Sequence, residues 1–165
     1  MPKIIIGVMG PGEQASALDL ENAYHLGQLI AQAGWVLLTG GRAVGVMDAA
    51  SRGAKSAGGL TIGILPTTDS TGMSMVIDLP IFTGLGHARN LVNVLSSQVV
   101  IACGMGVGTA SEIAFAIKAD RPLILLNGDV ISQQFFQQLA PDRVFLAQTP
   151  QEAVDRVNEC LAIDD

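Results

Sequence analysis

Short apolar segments recur along the chain, and polar residues interrupt few of them. A strand with one face in water alternates polar and apolar residues, whereas a strand covered on both faces is apolar throughout. We therefore expect these segments to be strands of a mostly parallel sheet that is covered on both sides. The expected strands are residues 4–9, 35–38, 60–65, 76–81, 98–102, 123–126 and, from a weaker pattern, 144–146.

Segments with helical periodicity lie between the expected strands. Apolar residues at three- and four-residue steps predict a first helix that starts after Ser16 and ends before Gly34. The spacing of Thr149 and Glu152 predicts the capped start of a last helix. Further helices are expected over residues 46–57, 88–96 and 109–119. This alternation predicts an open, doubly wound α/β fold of about six or seven strands with helices on both faces.

The composition restricts the kind of ligand. A chain of 165 residues with 49% hydrophobic residues is expected to form one domain, residues 1–165, with a large core. A net charge of −6 argues against a nucleic-acid partner, and 4% aromatic residues are too few for base stacking. No basic cluster favours an anionic membrane, and no apolar run is long enough for a membrane span or a signal peptide. We expect a cytoplasmic protein that binds a small molecule.

The cysteine and histidine residues are scattered. Cys103, Cys160, His25 and His87 show no local spacing typical of metal ligands, so no directly bound metal is expected. Cys103, between a strand and a glycine loop, is expected to be a small buried residue. The alternative is a thiol near a metal or a sulfur-rich ligand.

Glycine clusters follow three of the expected strands. In a parallel sheet these clusters share the carboxyl edge, where glycines let backbone N–H groups approach an anion and the next helix presents its positive end. A phosphate fits the second or third cluster, although neither matches a Walker A loop or the dinucleotide spacing. The glycines are Gly10 and Gly12, then Gly40, Gly41 and Gly45, then Gly104, Gly106 and Gly108.

Three charged residues stand close to these clusters. Arg89 is expected in the first turn of a helix, where a cation opposes the helix dipole, and Arg42 follows the second cluster. A bound anion accounts for both arginines; the alternative for Arg89 is a side chain that extends into solvent. The spacing of Thr109 and Glu112 predicts a capping box, and the alternative for Glu112 is a carboxylate at the mouth of a phosphate loop.

Two other features are candidates for ligand contact. The connection over residues 66–74 is longer and more polar than a link in such a sheet requires, which favours a lid over the ligand. His87 precedes Arg89 and either contacts the ligand or faces water.

Three segments in order carry a family resemblance: GGRAVGVMDAASRGA, TGLGHARN and GMGVGTASEIAFA. They resemble the lysine-decarboxylase-like, or LOG, superfamily over roughly residues 4–128, and the superfamily's Rossmann-like fold agrees with the pattern described above. Within the superfamily the chain is most similar to the molybdenum cofactor carrier branch. The resemblance implies a homodimer or homotetramer.

The resemblance implies two functions. The carrier branch binds the phosphorylated pyranopterin of the molybdenum cofactor, protects it and passes it to molybdoenzymes without catalysis. The best-known superfamily members are phosphoribohydrolases that release a base from a nucleoside 5′-monophosphate, and by this likeness Arg89 and Glu112 are the catalytic residues. The chain departs from the hydrolases at Met105, where they carry glycine. A sensor of a nucleotide-derived ligand is a third reading.

The glycine loops and the resemblance together predict one set of cofactor-binding residues. They are Gly10, Gly40, Gly41, Arg42, Gly45, Arg89, Asn90, Gly104, Met105, Gly106, Val107, Gly108, Thr109 and Glu112.

Overall fold

A computed structural model describes residues 1–163, so the end of the expected domain at residue 165 lies outside the described residues. Seven strands form one sheet in the order β4-β3-β2-β1-β5-β6-β7, and every neighbouring pair is parallel. The strands are β1 (Ile5–Met9), β2 (Val36–Thr39), β3 (Thr61–Leu65), β4 (Leu79–Phe82), β5 (Val99–Cys103), β6 (Leu123–Leu126) and β7 (Val144–Ala147).

Helices cover both faces of the sheet, which confirms the doubly wound fold. One core cluster joins α1, α2 and α6 to the sheet, and a second joins α3, α4 and α5 to the opposite face. The helices are α1 (Ala17–Gln32), α2 (Gly45–Ser56), α3 (Arg89–Leu95), α4 (Val107–Lys118), α5 (Val130–Leu139) and α6 (Pro150–Ile163). No helix within residues 1–163 is long and apolar enough to cross a membrane.

The strand order reverses beside β1. The chain passes outward from β1 through β2 and β3 to β4 and then returns to place β5 on the other side of β1. The connections that follow β1 and β5 therefore leave the sheet toward opposite faces, and a crevice opens between them at the carboxyl edge.

Two predicted elements differ from the structure by more than one residue, and one helix was not predicted. The fourth strand begins at Leu79 because a turn at residues 75–76 precedes it, and Thr61 Oγ1 donates to the Val76 carbonyl at 2.7 Å. Helix α4 begins two residues before its predicted start. Helix α5 is absent from the predicted set, because exposed apolar residues such as Ile131 and Phe135 obscure its one-sided pattern.

Other local signals are confirmed. Ser16 caps α1 and forms a capping box with Asp19. Thr149 accepts from the Glu152 N–H at 3.2 Å at the start of α6. A short 3₁₀ turn, Gly86–Ala88, precedes α3 and brings Arg89 to the first position of that helix.

Candidate functional site

A cleft of about 280 Å³ opens at the carboxyl edge of the sheet, at the reversal between β1 and β5. Its walls come from the loops after β1 and β2, from the start of α2 and from the first turns of α3 and α4. The lining residues are Val8, Met9, Gly10, Pro11, Gly12, Glu13, Gln14, Gly40, Arg42, Met47, His87, Arg89, Asn90, Gly106, Val107, Gly108, Thr109 and Glu112.

The structure brings ten of the fourteen predicted binding residues together in this cleft. They come from four separate parts of the chain and meet only because the parallel strands end at one edge. The ten are Gly10, Gly40, Arg42, Arg89, Asn90, Gly106, Val107, Gly108, Thr109 and Glu112.

The other four predicted residues, Gly41, Gly45, Gly104 and Met105, are not among the lining residues. The three glycines have positive φ angles of 77°, 57° and 78° and shape the loops that carry the site. The Met105 side chain packs against the core cluster on the α4 side of the sheet. The side chain that replaces the hydrolases' glycine therefore lies outside the cleft.

Eight lining residues are outside the predicted binding set: Val8, Met9, Pro11, Gly12, Glu13, Gln14, Met47 and His87. The glycine cluster after β1 was a visible signal for the segment that continues through Gly12. Met47 carried no local signal, because its place in the cleft depends on how α2 packs against the sheet. His87, a candidate contact, does line the cleft.

The first turn of α4 offers free backbone donors to the cleft. Helix α4 begins at Val107, and its N-cap residue Gly106 makes no side-chain capping hydrogen bond. The first N–H groups of a helix have no partner within the helix and carry the positive end of its dipole. Because residues 106–109 line the cleft, this turn is suited to an anion such as phosphate.

The capping box predicted for Thr109 and Glu112 does not form. With Gly106 as N-cap, Thr109 is the third helical residue and Glu112 lies beyond the first turn, so neither occupies its required position. The Glu112 carboxylate instead accepts from Asn93 Nδ2 on α3 at 2.8 Å.

Glu112 is a buried carboxyl group beside the cleft, with only 6% of its surface exposed. Burial raises its pKa to about 7, against the hydrogen bond from Asn93 and the positive charge of Arg89, which both lower it. Arg89 is 8% exposed, and burial lowers its pKa from the ordinary value, with Glu112 acting in the opposite direction and Arg42 in the same one. The two buried groups therefore interact electrostatically in a desolvated environment.

The polar atoms around this pair are incompletely bonded. Arg89 Nη1 donates to Asn90 Oδ1 at 2.7 Å, but the buried Nε atom has no partner among the described residues. Asn93 Oδ1 and Thr109 Oγ1 are also buried and have no partner within residues 1–163. Such unpaired atoms are rare in folded proteins, and a ligand or water bound in the cleft can complete the bonding of those that face it.

Arg42 and Glu13 meet at the mouth of the cleft. Arg42 Nη2 lies 3.1 Å from Glu13 Oε1, and both side chains are largely accessible to solvent. A backbone hydrogen bond at Glu13 lowers the pKa of that carboxyl, and Arg42 lowers it further. The ion pair links the loop after β1 to the loop after β2.

The connection over residues 66–74, expected to be a lid, does not cover the cleft in this structure. It is held beside the loop after β2, where the Ala43 N–H donates to the Gly72 carbonyl at 2.8 Å and the Ser74 N–H donates to the Gly41 carbonyl at 2.9 Å. None of its residues is among those that line the cleft.

The buried residue Cys103 is not among those that line the cleft. Its Sγ donates to the Asp19 carbonyl oxygen at 3.5 Å, and burial, with a smaller effect of Asp19, raises the pKa of the thiol to about 12. The first expectation for Cys103, a small buried residue, is confirmed. Within residues 1–163, no group of three or more His, Cys, Asp or Glu side chains is placed to hold a metal ion.

Comparison with known proteins identifies close relatives across nearly the whole chain. The model of the SLOG cluster4 family matches residues 3–154. An uncharacterized protein from Archaeoglobus fulgidus is 41% identical over 157 residues, which is 95% of this chain and 94% of that protein.

Two solved structures have the same fold. The molybdenum cofactor binding protein from the phototrophic bacterium Rippkaea orientalis is 58% identical, with a TM-score of 0.96 over 98% of this chain and 99% of that one. The molybdenum cofactor carrier protein from Chlamydomonas reinhardtii is 48% identical, with a TM-score of 0.92 over 97% of this chain and 99% of that one.

Proposed function

The chain belongs to the SLOG cluster4 family, and from that membership we propose that it binds and carries the molybdenum cofactor. The cofactor is its cargo, held by the phosphorylated pyranopterin and passed to molybdoenzymes in the cytoplasm. The observation that carries the proposal is the uncapped first turn of α4, which lies beside the buried Arg89. The similarity of the chain to proteins described as binding or carrying this cofactor supports it.

The phosphate end of the cofactor belongs at the first turn of α4. The N–H groups of residues 107–109 supply donors there, and Thr109 Oγ1 and Arg89 Nε are buried atoms that lack a partner in the described chain. The oxygens of a phosphate group can accept from these donors between them, and the desolvated guanidinium offsets part of the phosphate charge. The residues present therefore fit a phosphorylated ligand.

The pterin portion of the cofactor belongs in the remainder of the cleft. The partly exposed Met47 side chain gives this region apolar surface beside the buried Val8 and Met9, and the loop from Gly10 to Gln14 adds backbone polar groups. Pockets for small molecules combine these two kinds of surface, with apolar groups for area and a few polar groups for orientation. Met thioethers also adapt well to flat ring systems.

The functional form is, in our proposal, a homodimer or homotetramer. Apolar side chains are exposed on the edge strand β4 and on α3, including Leu79, Ile81, Phe82, Leu91 and Leu95. An open sheet edge with apolar side chains favours association, and a second copy of the chain is the simplest partner.

Cofactor retention tests the proposal. The purified protein is incubated with the molybdenum cofactor under anaerobic conditions and desalted, and bound molybdenum and the fluorescence of the oxidised pterin are measured. Arg89→Gln should reduce retention by roughly 10- to 100-fold, because a desolvated charged hydrogen bond is lost. Arg121→Gln is the matched control: Arg121 Nε is also buried without a partner among the described residues, but it lies outside the cleft. Retention by the wild-type protein no higher than that of a buffer blank would refute the proposal.

A nucleoside 5′-monophosphate phosphoribohydrolase is the second candidate, because Arg89 and Glu112 line the same cleft. In this reading Arg89 orients the phosphate and the carboxylate of Glu112 stabilises an oxocarbenium-like transition state. A panel of monophosphates assayed for free base and ribose 5-phosphate tests it, with Glu112→Ala expected to abolish turnover while binding persists. Absence of base release from every monophosphate would exclude this candidate.

A further inference from the structure

The unpaired atoms beside Arg89 have opposite requirements. Arg89 Nε is a donor that needs an acceptor, and Thr109 Oγ1 can act as either, whereas Asn93 Oδ1 is an acceptor that needs a donor. A bound anion carries only acceptor atoms. It completes the bonding of Arg89 and Thr109 but supplies nothing to Asn93.

Glu112 is the group that can supply the missing donor. It already accepts from Asn93 Nδ2 at 2.8 Å, so the two side chains are in direct contact inside the protein. An ionised carboxylate is only an acceptor, while a protonated carboxyl group also carries an O–H donor. Protonation of Glu112 therefore brings a donor into the buried cluster where Asn93 lacks one.

The charge of Glu112 also opposes an anion in the cleft. Its side chain lines the same cleft as the first turn of α4, and at 6% exposure little water separates it from a ligand there. Two negative charges in a partly desolvated site repel each other strongly, and neutralising one of them removes the repulsion.

We propose that an anion and a proton bind to this cleft together, and that the proton is taken from solvent by Glu112. The inference rests on the proposed anion site at the first turn of α4. It predicts that a phosphorylated ligand is held more tightly at low pH and released as the pH rises.

The other charged groups that face Glu112 are few. Arg89 on α3 favours the ionised carboxylate, and Arg42, already paired with Glu13, and His87 also line the cleft. The described elements α5, β5 and β6, which also contact α4, carry no charged side chain. The Cys103 thiol at the end of β5 belongs to the core cluster on the opposite face of the sheet.

The sign of the effect follows from linkage. Burial places the pKa of Glu112 at about 7 before a ligand binds, and an anion beside the carboxyl raises it further. Above the pKa of the free protein, each binding event must then take up a proton, so affinity falls by up to about tenfold per pH unit. Below that pKa, Glu112 is already neutral and affinity changes little.

Sulfate affinity measured by calorimetry between about pH 6 and pH 9 tests the inference, since ordinary carboxyl groups stay ionised throughout that range. Sulfate is preferred to phosphate because phosphate changes its own charge near neutral pH. Wild-type affinity should be constant at the acidic end and fall at the basic end. Glu112→Gln, a permanently neutral isostere with an N–H donor, should bind tightly at every pH.

Two matched variants separate Glu112 from its neighbours. Glu13→Gln removes another carboxyl group of the same cleft and should keep the pH dependence, because that carboxyl is already ionised throughout the range. His87→Gln removes the cleft histidine and should also keep it. A pH dependence that survives in Glu112→Gln, or that disappears in His87→Gln, overturns the inference.

A further test of the inference uses the wild-type protein alone. The ¹³C NMR titration of the Glu112 carboxyl should give a higher pKa with saturating sulfate than without it, and an unchanged pKa overturns the inference. Sulfate binding with no pH dependence overturns the coupling to Glu112 while the anion site stands. Absence of sulfate binding at any pH overturns the anion site and the inference together, and cofactor retention then decides the proposed function separately.

Discussion

Gly40 lies directly against the guanidinium group of Arg89. A Cβ atom added at Gly40 would be 2.9 Å from Arg89 Nη2 and 2.7 Å from Met47 Sδ, closer than real contacts of this kind. The lack of a side chain at Gly40, after β2, therefore allows a residue of α3 to reach the cleft. Gly40 is therefore needed for the close approach of the loop after β2 to α3, and not only for a turn.

Gly40→Ala should move Arg89 and weaken sulfate binding by roughly tenfold, the size of a lost charged hydrogen bond. Gly12→Ala is the matched control, since Gly12 also lines the cleft but a Cβ there meets nothing closer than 3.6 Å. Calorimetry on both variants checks the difference. Equal affinities in the two variants would show that Gly40 does not position Arg89.

Thr109→Val should weaken sulfate binding roughly 2- to 10-fold, and it should leave the free protein equally stable or more stable by up to about 1 kcal/mol. The reason is that the buried Thr109 Oγ1 has no partner in the described chain until a ligand binds. Thr39→Val is the contrast: Thr39 Oγ1 accepts from the Gly41 N–H at 3.1 Å, so its loss should cost about 1 kcal/mol. Urea unfolding and calorimetry measure both effects; a clear loss of stability in Thr109→Val would contradict the interpretation.

Glu13→Gln should raise anion affinity about 2- to 5-fold at low ionic strength, because it frees Arg42 and removes a negative charge from the mouth of the cleft. The gain should shrink as salt is added, since both side chains are exposed. Sulfate titrations at two salt concentrations test this. A gain that does not depend on salt would point to a change in loop structure instead.

The stability of Glu112→Gln relative to the wild-type protein should be greater at neutral and basic pH than at acidic pH. The carboxyl pKa rises from 4.5 in the unfolded chain to about 7 in the fold, so the stability linked to Glu112 is fully present below the first value and is lost as pH rises through the second. The variant's stability relative to wild type should therefore increase by roughly 1 to 3 kcal/mol between those values and then level off.

Urea unfolding of both proteins at a series of pH values gives this difference directly. Glu13→Gln serves as the control, because the pKa of the exposed Glu13 carboxyl is lowered in the fold and not raised. If the difference between Glu112→Gln and wild type did not change with pH, the buried carboxyl would have to be ionised throughout.

Cys103 should resist iodoacetamide at mildly basic pH in the folded protein and react after denaturation in urea. The thiol is fully buried and its pKa is raised to about 12, so almost no thiolate is available. Peptide mass spectrometry locates the label. Cys103→Ala should retain the molybdenum cofactor as well as wild type, and a loss of retention with an intact fold would restore a role for the sulfur.

Much of the architecture could be predicted from the sequence. Uninterrupted apolar runs indicated a parallel sheet covered on both faces, and the glycine clusters identified the edge at which the cleft lies, because these signals come from neighbouring residues. The resemblance in three ordered segments indicated the family that the comparison supports. The start of α4 was misplaced because the spacing of Thr109 and Glu112 matches a cap that a helix beginning at Val107 cannot use.

Sequence alone determined which faces are buried and where the chain turns, since periodicity and glycine conformation are properties of short segments. Only the tertiary structure decided that Met47 lines the cleft, that residues 66–74 stay outside it and that Glu112 pairs with Asn93 across two helices. The environment of a carboxyl group depends on the water and charges around it, which come from residues far apart in the chain. For that reason the packing of the fold, and not the local sequence, decides whether a glutamate such as Glu112 is an exposed helix cap or a buried group that can take up a proton.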